Sequence, residues 1–399
     1  MRSQIELLFL RIMVENIKIQ NFKSVVDLDI PLGQFNILIG ENGCGKSNIL
    51  EAITFASAAS VDQLDVEDLE KRGMRVPSPQ FMYSAFEDYK QDNILVSFDL
   101  SNGSKESFCM HFSNEIESGR WIERGKINAK KLFDSLKEIR ARSIKDVEGI
   151  LSSATFKDDE LIHVTLKNYD GKISIGPASF DKSITGFKIF SPNEKSLRRF
   201  DNPDNSVLGV DGIGLFSYLK KLSFTEKGSS TLNKIIDCMD ILDWFNDFKI
   251  PSESLSGDNS IMLYDQYIDE TLNYFDQRSA NEAFLYLLFY FTLFISETTP
   301  SFFAIDNIES ALNPKLCREF TKKLIKLAEI HNKQVIVTTH NPFVLDALDL
   351  TQENQRLFVV RRDVDGHTKI NRIKNPEGSN LSLSEAWMKG YIGGLPNNF

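Results

Sequence analysis

Residues 14–20 and 25–30 alternate apolar and polar side chains: Val14, Ile17 and Ile19 against Glu15, Lys18 and Gln20, then Val26, Leu28 and Ile30 against Asp27 and Asp29. A period of two buries one face of a strand, so these segments read as paired, half-exposed strands joined at the corner Asn21-Phe22-Lys23-Ser24. The mostly apolar run at 35–39 predicts a buried strand, and a helix is expected over 48–59. After a polar, irregular stretch at 61–90, segments 94–100, 107–112 and 161–166 look like strands of a side sheet. Helical spacing recurs at 127–145, 208–222 and 231–248, the last carrying Trp244 and Phe245. The run at 283–295 is apolar on every face and flanked by Glu282 and Glu297. It is well short of the roughly 20 residues a bilayer span needs and predicts a buried helix. From 301 onward the rhythm is strict: strand 301–305, helix 314–330, strand 334–338, short helix 342–348, strands 357–361 and 369–373. Such alternation means a mostly parallel sheet covered by helices. No sustained heptads, internal repeat or low-complexity tract interrupts it.

Directly after the 35–39 strand comes Gly40-Glu41-Asn42-Gly43-Cys44-Gly45-Lys46-Ser47, a complete G-x-x-x-x-G-K-[ST] phosphate loop between a strand and a helix. Glycines at 40, 43 and 45 let the backbone curl until its N–H groups converge on an anion, and the helix N-terminus adds partial positive charge. Lys46 is placed to reach the β- and γ-phosphates and the Ser47 hydroxyl to hold Mg2+. Asn42, Gly43, Cys44, Gly45, Lys46, Ser47 and Asn48 are therefore the candidate residues for binding a nucleoside triphosphate. The strand at 301–305 ends in Asp306, whose carboxylate would complete the Mg2+ coordination begun by Ser47. The strand at 334–338 runs into Thr339-His340-Asn341-Pro342. Ligands sit at the carboxyl ends of strands in such sheets, which places His340 to contact the γ-phosphate.

A chain of 399 residues has room for two or three lobes, and 42% hydrophobic content is that of an ordinary soluble globular protein. The net charge of −10 excludes a uniformly basic nucleic-acid binder, though not a local basic face. Segment 119–146, with nine basic and four acidic residues, is the most basic stretch. It reads either as a solvated helix face or as a contact for nucleic-acid phosphates or an acidic partner. Cysteines 44, 109, 238 and 317 form no C-x-x-C pair, which argues against a metal cluster or disulfide framework and fits a reducing cytosol. Cys44 reads as a small residue that fits inside the loop. Residues 1–12 carry a short apolar stretch without a small-residue cleavage site and read as a dispensable extension or an upstream start. A cytoplasmic protein without membrane contact is expected.

Phosphate loop, acid-tipped strand and His strand, in that order, resemble the ATPase heads of ABC type, specifically the RecF, SMC and OLD-like branch rather than membrane transporters. The likeness is carried by Asn21-Phe22-Lys23-Ser24, by the loop with its continuation Lys46-Ser47-Asn48-Ile49-Leu50-Glu51-Ala52-Ile53, by the strand to Asp306, and by Leu312-Asn313-Pro314 and Thr339-His340-Asn341-Pro342. It implies a P-loop NTPase of α/β class with a mixed, mostly parallel core sheet. That core is discontinuous, over 13–60 and 270–375, with an inserted α+β lobe at 61–186, a helical lobe at 187–269 and a tail at 376–399. The resemblance also implies that two copies pair head to tail around two ATP molecules, each loop facing a signature motif of the other copy. Arg278-Ser279-Ala280-Asn281-Glu282 holds that motif's position. Ser279 matches the Ser that meets the γ-phosphate, and Asn281 stands where the family has Gly, a place its tolerance of left-handed angles would suit. Lys23 joins the implied nucleotide contacts, and Gln80 is a candidate for the family's Q-loop glutamine.

One departure bears on catalysis. The family's catalytic Glu directly follows the Mg2+-binding Asp, and here that place holds Asn307. An amide cannot accept a proton from the attacking water, so general-base help is lost unless Glu309, two residues on, supplies it. Asn307 can still orient the water. The expectation is slow ATP hydrolysis, with ATP acting partly as a clamp on a closed dimer. The tail with Gly393-Gly394-Leu395-Pro396 looks like that of compact bacterial ATPases found in phage-defence modules beside a separate nuclease or toxic effector. Such an effector is the expected partner. The alternatives are a non-hydrolysing nucleotide sensor or scaffold, a RecF/SMC-like DNA-repair ATPase, and a transporter subunit, the last opposed by the missing Gly-rich signature.

Overall fold

The computed structural model describes residues 12–86, 91–113, 119–123, 126–128, 161–167, 172–177, 180–200, 208–250, 260–269, 274–374 and 381–395. In chain order the strands are β1 (Val14–Phe22), β2 (Val25–Pro31), β3 (Phe35–Ile39), β4 (Ile94–Leu100), β5 (Lys105–Ser113), β6 (Arg120–Glu123), β7 (Lys126–Asn128), β8 (Leu161–Lys167), β9 (Lys172–Pro177), β10 (Ile189–Phe190), β11 (Phe245–Lys249), β12 (Met262–Asp265), β13 (Phe302–Ile305), β14 (Gln334–Thr338), β15 (Gln355–Arg362) and β16 (Thr368–Ile373). The principal helices are α1 (Lys46–Ser60), α2 (Leu215–Ser223), α3 (Glu226–Cys238), α4 (Glu282–Ile295), α5 (Pro314–Ile330) and α6 (Leu383–Met388).

The core sheet has the order β10-β13-β14-β3-β15-β16 and is parallel except for the β15–β16 hairpin. Ile37 lies opposite Val337, and Val337 opposite Ile305, so β3, β14 and β13 end at one level. Their following loops therefore open at one edge, where parallel sheets bind ligands. Side chains alternate between two apolar layers. Ile37, Ile39, Phe303, Ile305, Val335 and Val337 enter the layer containing α4 and α5, while Leu38, Phe302, Ala304, Ile336 and Phe358 enter the layer containing α1. Strands covered on both faces need such near-continuous apolar runs. In α4 every residue of 284–295 is buried, as its all-round apolarity predicts. Among the described residues no helix is long and apolar enough to cross a membrane.

A second sheet, β2-β1-β4-β5-β6, is antiparallel and packs on α1. It joins strands from either side of residue 60, with Ile17 opposite Phe98 and Ile19 opposite Val96. The expected strand at 161–166 does not belong to it: β8 lies in a separate three-stranded sheet, β7-β8-β9.

Three sequence expectations change. The helix expected at 231–248 stops at Cys238, and Phe245–Lys249 is a strand paired with β12, Phe248 opposite Leu263. Leu242, Phe245 and Phe248 recur at near-helical spacing, but the antiparallel partner some fifteen residues later decides the conformation. The helix expected at 208–222 begins only at Leu215, because Gly212 and Gly214 turn the preceding chain at φ 96 and 80. The helix expected at 127–145 opens instead in strand Lys126–Asn128, and 129–145 lies outside the described residues. So do residues 1–11 and most of basic segment 119–146. The irregular 61–90 stretch contains a short helix, Val66–Lys71, and a 3-10 turn, Pro79–Phe81, where Gln80 is exposed.

A candidate nucleotide site at the carboxyl ends of the parallel strands

Gly45 begins α1 in the left-handed region, φ 109, and among the described residues no side chain caps the first amides of that helix. Those N–H groups and their partial positive charge are left facing the loop. A Cβ on Gly45 would stand 2.1 Å from Thr368 Oγ1, and one on Gly40 would stand 2.1 Å from the Val360 carbonyl oxygen. Glycine is therefore required twice, for close approach as much as for backbone angle. Lys46 Nζ donates to the carbonyls of Gly40 (2.8 Å) and Glu41 (3.0 Å), which holds its ammonium across the loop. Burial pushes the Cys44 thiol up, with Lys46 pulling the other way, so it stays protonated and fills space.

The loop is braced from two sides. Thr368 Oγ1 donates to the Cys44 carbonyl (3.0 Å) and pairs with Ser24 Oγ (2.7 Å), which accepts from Asn48 Nδ2 (2.7 Å). Arg362 Nε donates to the Gly43 carbonyl at 2.9 Å. Lys23 is held by Glu51, 2.6 Å from Oε2, and the same buried carboxylate takes Arg75 Nε at 2.6 Å. Lys23, Ser24, Asn48, Arg75, Tyr83 and Phe86 border a cavity of about 680 Å³ beside the loop.

The acidic half arrives from across the sheet. Ser47 Oγ donates to Asp306 Oδ2 at 3.4 Å, although β14 separates the two parent strands. The Thr338 hydroxyl, on β14, donates to Asp306 Oδ1 and accepts from the Asn307 amide (2.9 Å). Mg2+ takes oxygen ligands octahedrally at about 2.1 Å, which puts neighbouring donors about 3 Å apart. The Ser47 hydroxyl and Asp306 carboxylate fit that requirement. Asn307 itself is left-handed, φ 57. Glu309 accepts from Thr339 Oγ1 through Oε2 and from the His340 amide through Oε1, both at 2.8 Å. The His340 imidazole is held below its usual range by desolvation first and by Lys46 second, with Glu309 and Asp306 opposing. It is therefore neutral at neutral pH.

The structure thus gathers the loop, Asn48, Asp306, Asn307, Glu309 and His340 at one edge. Ser279 and Asn281 lie elsewhere, bordering a cavity of about 600 Å³ with Trp244, Asp265, Ile268 and Phe275. Asn281 does not use left-handed angles: at φ −68 it is extended, and its side chain caps α4 by accepting from the Phe284 amide at 2.8 Å. The Ser279 amide donates to Asp276 Oδ1 at 3.2 Å. Sequence reasoning passed over Thr338, Thr368, Arg75 and Arg362. Thr338 directly precedes the recognised Thr339-His340 turn; Arg362 and Thr368 become visible only once β15 is known to lie beside β3 with β16 next to it, and Arg75 only once its ion pair with Glu51 is known.

Known proteins resemble this chain in fold and over short stretches of sequence. A solved SMC head bound to the C-winged helix domain of ScpA superposes with a TM-score of 0.51 over 94% of this chain and 99% of that one, at 16% identity. At that identity the likeness speaks for the fold. The DNA replication and repair protein RecF of Brucella abortus (strain 2308) is 42% identical over 48 residues, 12% of each chain. The DNA double-strand break repair Rad50 ATPase of Thermoplasma volcanium is 41% identical over 63 residues, 16% of this chain and 7% of that one. The matched stretches therefore span only a small part of these curated relatives. Fold and motif together fit a P-loop head of the ABC type, similar to the heads of RecF and SMC proteins. More narrowly, over residues 35–346 the chain matches the family described as AAA domain, putative AbiEii toxin, Type IV TA system, and it belongs to that family.

Proposed function

We propose that this chain binds ATP with Mg2+, hydrolyses it slowly, and acts as a switch whose closed state is a head-to-tail pair of copies controlling a partner effector. The observation that carries the nucleotide reading is the 3.4 Å approach of Ser47 Oγ to Asp306 Oδ2 beside an uncapped helix N-terminus. In this reading the loop amides and Lys46 hold the β- and γ-phosphates, Lys46 exchanging its two carbonyl partners for phosphate oxygens. Ser47 and Asp306 would hold Mg2+, which when bound neutralises charge developing on the phosphates. Neutral His340 hydrogen-bonds the γ-phosphate beside Lys46 without cation–cation repulsion. Asn307 orients the attacking water but takes no proton. Glu309 already accepts two hydrogen bonds, so its work is to hold the His340 turn in place. A missing general base leaves the rate lower by about 10²–10⁴.

Lys46→Ala is expected to abolish ATP binding measured by titration calorimetry. Wild-type affinity in that variant would show the loop assignment to be wrong. The non-hydrolysing sensor remains a second reading because of Asn307, and a turnover assay with Asp306→Ala as the blank separates the two. The toxin description of the family supports an effector-linked role in bacterial defence. Phage challenge of cells with and without an intact loop tests that setting.

A further inference from the structure

The carboxyl-terminal segment is tied to both halves of the site. The Ser384 amide and hydroxyl donate to Asp346 (2.9 and 2.7 Å), on the 3-10 turn Pro342–Ala347 that follows His340. Beyond α6 the chain turns at Gly390, Gly393 and Gly394, with φ 75, 76 and 80. It then meets the phosphate loop, since a Cβ on Gly394 would stand 3.4 Å from Gly40 Cα. A cleft of about 740 Å³ separates the segment from Glu41–Cys44, with Arg361, Arg362 and Lys389 among its walls. Met388 (54% exposed) and Leu395 (37%) line it, and Tyr391 (72%) lies on the segment between them. Three large, exposed side chains on one short segment that also carries Lys389, here called the ridge, make a surface that water does not favour.

A groove of matching character borders the Ser279–Asn281 turn. Trp244, Ile268 and Phe275 line it together with Asp265, and Tyr267 (70% exposed) and Tyr274 (46%) lie on the segments that form it. Asp243, whose carbonyl accepts from Gln266 Nε2, adds an exposed carboxylate. One surface is therefore apolar with a basic border, and the other apolar with an acidic border.

We propose that the Met388–Tyr391–Leu395 ridge of one copy seats in the Trp244–Ile268–Phe275 groove of a second copy, locking the closed pair. This rests on the head-to-tail reading above. If each phosphate loop faces the partner's Ser279 turn, what borders the loop meets what borders the turn. Lys389 then opposes Asp243 and Asp265, and two-fold symmetry makes the contact twice. Aromatic anchors at such a contact carry a disproportionate share of the binding energy. Because α6 is also bonded to the turn after His340, a seated ridge steadies the γ-phosphate side of its own site.

The test is sedentation-velocity measurement of the full chain with Mg2+-ATP, alongside Tyr391→Ala, Ile268→Ala, Lys389→Glu and Lys389→Glu combined with Asp243→Lys. Tyr391→Ala and Ile268→Ala are expected to raise the dimer dissociation constant at least tenfold while ATP affinity, measured at monomer concentrations, stays unchanged. Lys389→Glu should weaken the dimer, and the double charge swap should restore it. A wild-type chain that stays monomeric with ATP overturns the head-to-tail reading and this contact with it. A wild-type chain that dimerises, with variants that dimerise equally well, overturns the contact alone.

Discussion

Two helix N-termini in this molecule, both read from the sequence as nucleotide contacts, are built in opposite ways. Helix α1 starts behind Gly45, with no side-chain cap and no acidic residue in its first turn. Helix α4 starts behind Asn281, whose side-chain Oδ1 accepts from the Phe284 amide, and Glu282 occupies its first turn. A helix start carries unsatisfied N–H groups and roughly half a positive charge. In α4 the chain caps one of them with its own side chain and sets a carboxylate beside the rest; in α1 it leaves them for an anion. The difference separates a terminus that can bind phosphate through its backbone from one that can offer only side chains, such as Ser279, to a nucleotide held elsewhere.

The largest effect should come from closing the open terminus. Gly45→Ala puts a Cβ 2.1 Å from Thr368 Oγ1 at a φ of 109, where L side chains are strained. Either the Ser24–Thr368–Cys44 brace breaks or the loop opens, and ATP binding is lost in calorimetry while the melting temperature falls. Retained binding would mean that the loop works in another shape than the one seen.

A smaller change, in the opposite direction, is expected at the acidic edge. Asn307→Glu supplies the missing proton acceptor beside Asp306 and should raise ATP turnover about tenfold to a hundredfold, below the full general-base range. The gain is limited because residue 307 sits at φ 57, which Asn tolerates better than Glu. An unchanged rate in a coupled phosphate-release assay would show that proton transfer does not limit turnover.

What the sequence made legible follows from the range of each interaction. The phosphate loop, α4, α5 and β13 to β14 are encoded locally, in contiguous patterns whose periodicity matches burial on one or both faces. Asp306 was legible as the tip of a buried strand, and its Ser47 contact followed from the expected sheet. That β14 would lie between β13 and β3 was not written in any one segment. Phe245–Lys249 misled because its apolar spacing suits a helix, and only β12 reveals the strand. The role of Asn281 misled in a subtler way. Its residue type fits both a left-handed position and a helix cap, and the backbone at φ −68 chooses the cap.

The smallest effect tests that choice. Removing the capping oxygen with Asn281→Ala should lower stability by about 1 kcal/mol in urea denaturation, the usual loss when a capping Asn is truncated. Asn281→Gly, which introduces the residue that the resemblance implies at this position, should cost only a few tenths of a kcal/mol, since Gly lets water reach the freed amide. A left-handed site would behave differently, because there Gly relieves strain and stabilises. The sign of the Gly variant therefore decides between the two accounts. If it destabilises slightly and Ala destabilises more, α4 is closed by its own side chain, and the contrast with the open start of α1 stands.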